Sequence, residues 1–353
     1  MSLNSIEDVS IWSAVRRLVP ELSDELQKRI RILERILALQ PIGRRALAVE
    51  MGTTERVLRA ELDFLRVQGL LTASSAGVSL TEDGEAVLDR VAEFAVRMDG
   101  RKELAERVSR VLGIPQVVVV EDDSDQNSWV KDNLGYRAAE LLRSLLQPDE
   151  VVGITGGTTM AAIARRMPAR AVSYPVKVVP ARGGLGEKVE FQANTIASTL
   201  AEKLGGESMM LHVPDRLNEE TMEQLLNDPY VQQRLPEIRK ATLVVHGIGE
   251  AVKMAKRRQV PDEEVACLEN QQAVAEAFGY YFNQQGDVVY SMPTIGLRLD
   301  DLQNARVVMA VAGGSSKARA VAAAAKAYRI DVLITDEGAA RLIVQSQDYY
   351  QDK

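Results

Sequence analysis

The rhythm of apolar positions changes near residue 115. Before that point they recur at helical spacing: Leu26, Ile30, Leu33 and Leu37, then Leu58, Leu62 and Leu65. The spacing predicts a helix over residues 23–40, capped by Ser23 and stopped by Pro41. A short second helix runs from Ala46 to Met51 and Gly52 makes the turn. Thr53 or Thr54 caps a third helix, which ends at about Gln68 before Gly69. Residues 1–22 read as a short amphipathic helix ended near Pro20. LLTASSAGVSL, residues 70–80, reads as two short strands around Ser-Ser-Ala-Gly, and Thr81 opens a longer helix to about Met98.

From Val117 onward, continuous apolar strands alternate with helices. The strands are VVVV at 117, VVGIT at 151, VKVVPA at 176, ATLVVHGIG at 241, RVVMAVAGG at 306 and DVLITDEG at 331. Strands apolar on both faces, separated by helices, predict a parallel sheet covered on both sides. The chain therefore reads as two domains, residues 1–98 and residues 101–353, with Asp99-Gly100 as the link. The fold class is α/β: an N-terminal winged helix-turn-helix and a C-terminal parallel-sheet domain.

The net charge of −7 excludes a nucleic-acid coat and confines any DNA contact to a local patch. The helix–turn–helix over residues 44–68 supplies one. With its leucines turned inward, the third helix presents Thr53, Thr54, Arg56 and Arg59 on its leading outer side. Arg44 and Arg45 open the second helix, where a backbone phosphate lies in such modules. Glu55, Glu61 and Asp63 dilute that charge, and the wing that follows strengthens the DNA-binding reading. A single cysteine, Cys267, excludes an intramolecular disulfide. No apolar run approaches the roughly 20 residues of a membrane helix, and no secretion signal is present, so a cytoplasmic protein is expected.

Two segments carry the chemistry of the larger domain. In Gly153-Ile-Thr-Gly-Gly-Thr-Thr-Met160 a strand enters Gly156-Gly157 and a helix starts at Thr158-Thr159. Glycines let backbone approach an anion, and the first helical turn points unused N–H groups at it. The same construction recurs in Val311-Ala-Gly-Gly-Ser-Ser-Lys317, where Ser315 and Ser316 supply hydroxyls and Lys317 a full charge. Two such grips suit a ligand with two phosphates, or one phosphate held from two sides. Arg182, in Pro180-Ala-Arg182-Gly-Gly-Leu-Gly186, lies at the same edge and could pair with a phosphate, with Gln192 placed to reach a sugar hydroxyl. Nothing in the sequence alone gives Lys256, Arg257 and Arg258 a site role.

The motifs GITGGTTM, PARGGLG with FQANTIA, GYYFN, and MAVAGGSSKARA with LITDEGAA resemble those of the SorC-type sugar-binding transcriptional regulators, across nearly the whole chain. The resemblance implies a repressor of glycolytic genes induced by fructose-1,6-bisphosphate. It also implies a homotetramer on operator DNA and a sheet shared with phosphosugar isomerases and deaminases. It places Gly156, Gly157, Thr158 and Thr159 on one phosphate, Arg182 and Gln192 at the sugar, and Ser315, Ser316 and Lys317 near a phosphate. From the resemblance alone, Arg257 becomes a phosphate ligand and Glu276 an acceptor for sugar hydroxyls. No cofactor, metal or catalytic residue is implied.

The rival reading is an isomerase or deaminase on the same sheet, which needs a general base. Asp336-Glu337, Glu276 and His246 are the candidates, although His246 follows an apolar strand and reads better as a packed imidazole. The winged helix favours the regulator, because a sensor needs an output and an isomerase does not.

Overall fold

The computed structural model describes residues 18–98, 101–168, 175–184 and 188–351. The chain divides into two compact units, Met1–Glu103 and Leu104–Lys353.

In the first unit α1 spans Pro20–Leu39, so Pro20 begins a helix rather than ending one. Proline suits the first helical turn because its missing N–H would have no partner there. Ser23 consequently lies inside α1 and is not its cap, and most of the amphipathic helix expected over residues 1–22 lies outside the described residues. Helix α2, Arg44–Glu50, and helix α3, Glu55–Val67, flank Gly52, whose φ of 59° makes the left-handed turn. The Thr54 hydroxyl accepts from the Val57 N–H and caps α3. Strands β1, Leu71–Ser74, and β2, Gly77–Leu80, form the wing, and Ile42 adds a bridge to Val78. Helix α4, Glu82–Met98, starts from Thr81, whose hydroxyl accepts from Gly84 N–H and donates to the Gly69 carbonyl. Ile30, Leu33, Ile36, Leu47, Leu58, Leu62, Leu65, Val78 and Leu88 form one core, so the leucines of α3 do face inward.

The second unit opens with α5, Arg101–Leu112, of which the first residues belong to the preceding unit. It is built on a seven-stranded sheet. In chain order its strands are β3, Gln116–Val120; β4, Val151–Ile154; β5, Lys177–Pro180; β6, Glu207–Ser208; β7, Leu243–His246; β12, Val307–Val311; and β13, Val332–Asp336. They lie in the spatial order β3-β13-β12-β7-β4-β5-β6, and every pairing is parallel. Alternate residues point to opposite faces. Leu243 and Val245 enter a core with α6 (Trp129–Leu145), α7 (Thr158–Arg166) and α8 (Ala193–Leu204). Val244, Val308, Ala310 and Leu333 enter the opposite core. That core includes α5, α10 (Pro229–Arg239), α13 (Ala318–Ala327) and α14 (Glu337–Gln351); α9, Glu219–Leu226, precedes α10 in the chain.

A second, antiparallel sheet is not readable in the sequence. It contains β8, Gly249–Glu250; β9, Ala275–Ala277; β10, Tyr280–Phe282; and β11, Val288–Ser291, in the order β11-β10-β9-β8. Its strands are too short to show a period. Helices α11, Ala251–Arg257, and α12, Asp262–Asn270, pack beside it on Val260, Val265, Leu268 and Tyr281.

Candidate effector site

Strands β4 and β7 are neighbours, yet β4 leads on to β5 on one side and β7 to β12 on the other. Ligands of open α/β sheets gather at the carboxyl ends of strands where the order reverses in this way. A cavity of about 330 Å³ opens there. The segments after β3, β4, β5, β7 and β12 all contribute to its wall.

After β4 the chain is forced into glycine. Gly157 has φ 120°, and a Cβ on Gly156 would lie 2.9 Å from the Phe191 carbonyl oxygen. The Gly157 N–H donates to that same carbonyl. Helix α7 then begins, and the first intrahelical bond runs from Ala161 to Gly157. The N–H groups of Thr158, Thr159 and Met160 precede it and meet no protein acceptor among the described residues. All three residues line the cavity. The strand–glycine–helix turn expected from the sequence is present, with these N–H groups unused at the cavity.

The loop after β12 has the same shape and a different state. Its N–H groups are already taken by carboxylates: Gly314 donates to Asp336 Oδ2 at 2.6 Å, Ser315 to Asp123 Oδ1 at 3.1 Å, and Ser316 to Asp125 Oδ2 at 2.8 Å. Ser315 and Ser316 stand off the cavity wall. Lys317 is on the wall. Burial, with Lys131 and Lys253 nearby, pushes its ammonium down to about 8. Lys131 and Lys253 also line the cavity, and none of the three ammonium groups is within ion-pair distance of a carboxylate among the described residues. Arg257 stands on the same wall.

Arg182 and Glu276, both on the cavity wall, are also brought together with each other. Arg182 lies 2.9 Å from Asp215 and 2.9 Å from Glu276; Arg258 lies 2.9 Å from Asp215 and 3.0 Å from Glu276. The four buried side chains close a ring of alternating charge. Burial opposes the charge on Glu276, but Arg258 and Arg182 outweigh it and hold the carboxyl below its ordinary range. Both Glu276 oxygens face guanidinium groups, and Oε1 also accepts from Gly279 N–H. The predicted phosphate contact of Arg182 and sugar-hydroxyl contact of Glu276 thus compete with partners inside the protein. Arg258 was missed because a basic run on a short helix does not reveal which member turns inward. Gln192 stands at the N-cap position of α8 without a side-chain capping bond, lies close to Gly184 and lines the cavity.

Two of the candidates for a general base, Asp336 and His246, are held by partners inside the protein. Asp336 is buried and accepts N–H bonds from Ser124, Gly314 and Ala339. His246 is buried between Phe278 and Tyr328, and its Nδ1 donates to the Gly247 carbonyl. Burial pushes its imidazole down to about 4.

In the first unit Arg44, Arg45, Arg56 and Arg59 are exposed, and Thr53 is half-buried. The acidic residues that dilute this charge in the sequence are partly neutralised. Glu61 pairs with Lys28 and Arg29 of α1, and Glu55 with Arg45. Arg56 and Arg59 keep no carboxylate partner among the described residues. No helix among those residues is long and apolar enough to cross a membrane, and none of their acidic, His or Cys groups could hold a metal.

Comparison with known proteins agrees with both units. Residues 96–345 match the sugar-binding domain family, and residues 26–95 match the CggR N-terminal DNA-binding domain. The chain is 44% identical over 337 residues to the central glycolytic genes regulator of Priestia megaterium, covering 95% of this chain and 98% of that one. Identity to the Bacillus subtilis protein of that name is 40% over 334 residues, with the same coverage. A SorC family transcriptional regulator from Enterococcus faecalis aligns with TM-score 0.64 and 41% identity, over 69% of this chain and 99% of that one. The full-length sorbitol operon regulator of Klebsiella pneumoniae shares the fold, with TM-score 0.67 and 20% identity over 89% and 98% of the two chains.

Proposed function

The chain belongs to the SorC-type family of sugar-binding transcriptional regulators, and from that premise we propose that it represses glycolytic genes and is released from its operator by fructose-1,6-bisphosphate. The observation that carries the effector reading is the cavity at the sheet's switch point. The open N–H groups of Thr158, Thr159 and Met160 stand on its wall together with Lys131, Lys253, Arg257 and Lys317. An anion grip and a separate cluster of cations suit an anion at each end of one ligand. The cavity volume falls in the range that holds small metabolites.

In this reading Gly156, Gly157, Thr158 and Thr159 hold one phosphate, Lys317 and Arg257 attract the other, and Gln192 meets the sugar. The ion ring forms the floor. A ligand shifts the DNA-binding equilibrium only by as much as it prefers one conformation over the other. Segments from five strands meet at this cavity, so a ligand that bridges them stabilises one arrangement of their loops. A homotetramer on operator DNA, with exposed Arg44, Arg45, Arg56 and Arg59 contacting phosphates and base edges, completes the proposal.

The test is calorimetry on the full chain with fructose-1,6-bisphosphate, fructose-6-phosphate and fructose, paired with operator binding at fixed salt. The bisphosphate should bind most tightly and release the operator. Equal affinity for fructose and its bisphosphate would end this reading. So would turnover of any of these compounds that is lost on mutating Asp336 or His246.

A further inference from the structure

The two glycine loops at the cavity differ in one respect: the loop after β4 has unused N–H groups, and the loop after β12 already holds carboxylates. Those carboxylates are not equivalent. Asp336 is buried and takes three backbone N–H bonds, and Asp123 accepts from both Asp125 N–H and Ser315 N–H. Asp125 is exposed, yet it lines the cavity beside Lys253 and Lys317. Its Oδ2 accepts from the Ser316 N–H at 2.8 Å and lies 3.4 Å from the Ser315 hydroxyl. A Cβ on Gly314 would lie 2.7 Å from each atom of this carboxylate, so the loop is shaped around it.

We propose that Asp125 is an internal stand-in for a phosphate, occupying the second anion grip until a ligand with a second phosphate displaces it. The inference rests on the sugar-bisphosphate reading above and adds to it the residue that sets the preference between one phosphate and two. A phosphate presents oxygens to the same donors, the Ser316 N–H and the Ser315 hydroxyl, with Lys317 on the adjoining wall. Displacement is inexpensive for Asp125 because its side chain is exposed and can rehydrate; Asp336, held in the interior, cannot leave without stranding a buried charge. Burial raises the Asp125 carboxyl, but bonds from Ser316 outweigh it and hold the group below its ordinary range, so it competes as an anion at neutral pH. The exchange also explains how Ser315 and Ser316 stand off the cavity wall while sitting in a loop built like a phosphate grip. A monophosphate held at Thr158–Thr159 leaves Asp125 in place.

The experiment compares the full chain with its Asp125→Asn and Asp125→Ala variants. Calorimetry with fructose-1,6-bisphosphate and fructose-6-phosphate should show the affinity ratio rising by about tenfold in both variants, with the gain confined to the bisphosphate, as expected when a charge-assisted competitor is removed. Inorganic phosphate, followed by equilibrium dialysis, should bind with one more equivalent in the variants than in the unaltered chain. An unchanged or falling ratio without the extra equivalent would overturn the proposal, and equal losses for both sugars would make Asp125 an ordinary ligand contact. If the unaltered chain binds neither sugar phosphate but the variants take up the extra inorganic phosphate, the effector reading fails and the stand-in role survives.

Discussion

Arg258 Nη1 lies 3.0 Å from Glu276 Oε2, and this contact closes the ring that Arg182 and Asp215 complete beneath the cavity. Every member is buried, so the ring's worth lies in its completeness. Removing one partner leaves an opposite charge in the interior, whereas an intact buried pair is close to neutral in net energy. Glu276→Gln should therefore destabilise the protein by about 3 kcal/mol or more in urea unfolding. A variant of unchanged stability that loses only sugar affinity would make Glu276 a ligand contact and not a structural member of the ring.

In the proposed first grip, backbone N–H groups are joined by the hydroxyls of Thr158 and Thr159. Thr159→Ala should weaken bisphosphate binding by about 1 kcal/mol, and Lys317→Ala by about 1.5–3 kcal/mol, without altering the unfolding midpoint. Calorimetry and thermal unfolding on the same samples separate the two effects. Unchanged affinity in both variants would make both loops plain structural turns.

Lys317 also sets a pH dependence. Burial, Lys131 and Lys253 bring its ammonium down to about 8, with Asp125 opposing and Arg257 adding to the fall. A bound phosphate favours the protonated form, so binding takes up a proton above that value. Bisphosphate affinity should be high at pH 7 and fall as pH rises through about 8 to 9. Lys317→Arg keeps its charge over this range and should flatten the profile. A profile that stays steep in the arginine variant assigns the titration elsewhere.

His246 links pH to stability rather than to binding. Its folded imidazole titrates at about 4, below the ordinary value of 6.5, because burial disfavours the charged form. The unfolded chain therefore binds more protons between those values, and stability rises with pH across them. The contribution is complete above pH 6.5 and is lost as pH falls towards 4, amounting to about 3 kcal/mol. Urea midpoints from pH 7.5 to 4.5 should fall less steeply in His246→Gln than in the unaltered chain.

In the DNA-binding unit, Arg56 and Arg59 are exposed on α3 outside the stripe of its buried leucines, Arg56 on the opposite face and Arg59 on the flank. Replacing either with Ala should weaken operator binding by about 1–3 kcal/mol and leave sugar-phosphate affinity unchanged. If both variants hold the operator at full strength at the same salt concentration, the outer face of α3 is not the reading surface.

Much of this architecture is local and so is written in the sequence. Leu58, Leu62 and Leu65 mark the buried side of α3, and six continuous apolar runs mark six of the seven parallel strands, because burial of one stripe leaves a helical period and burial of both faces leaves an unbroken run. Gly156-Gly157 before Thr158 announces an anion grip because positive φ and a close carbonyl exclude other residues. The tertiary structure alone decides what fills each polar group. Arg182 and Glu276 are 94 residues apart, and nothing in either motif foretells that they bind each other. The Ser316 N–H and Asp125 are 191 residues apart. Two glycine loops of the same construction therefore arrive at the cavity in opposite states, one open and one occupied. Sequence supplies the donors; which carboxylate or ligand reaches them depends on segments that meet only when the sheet is assembled.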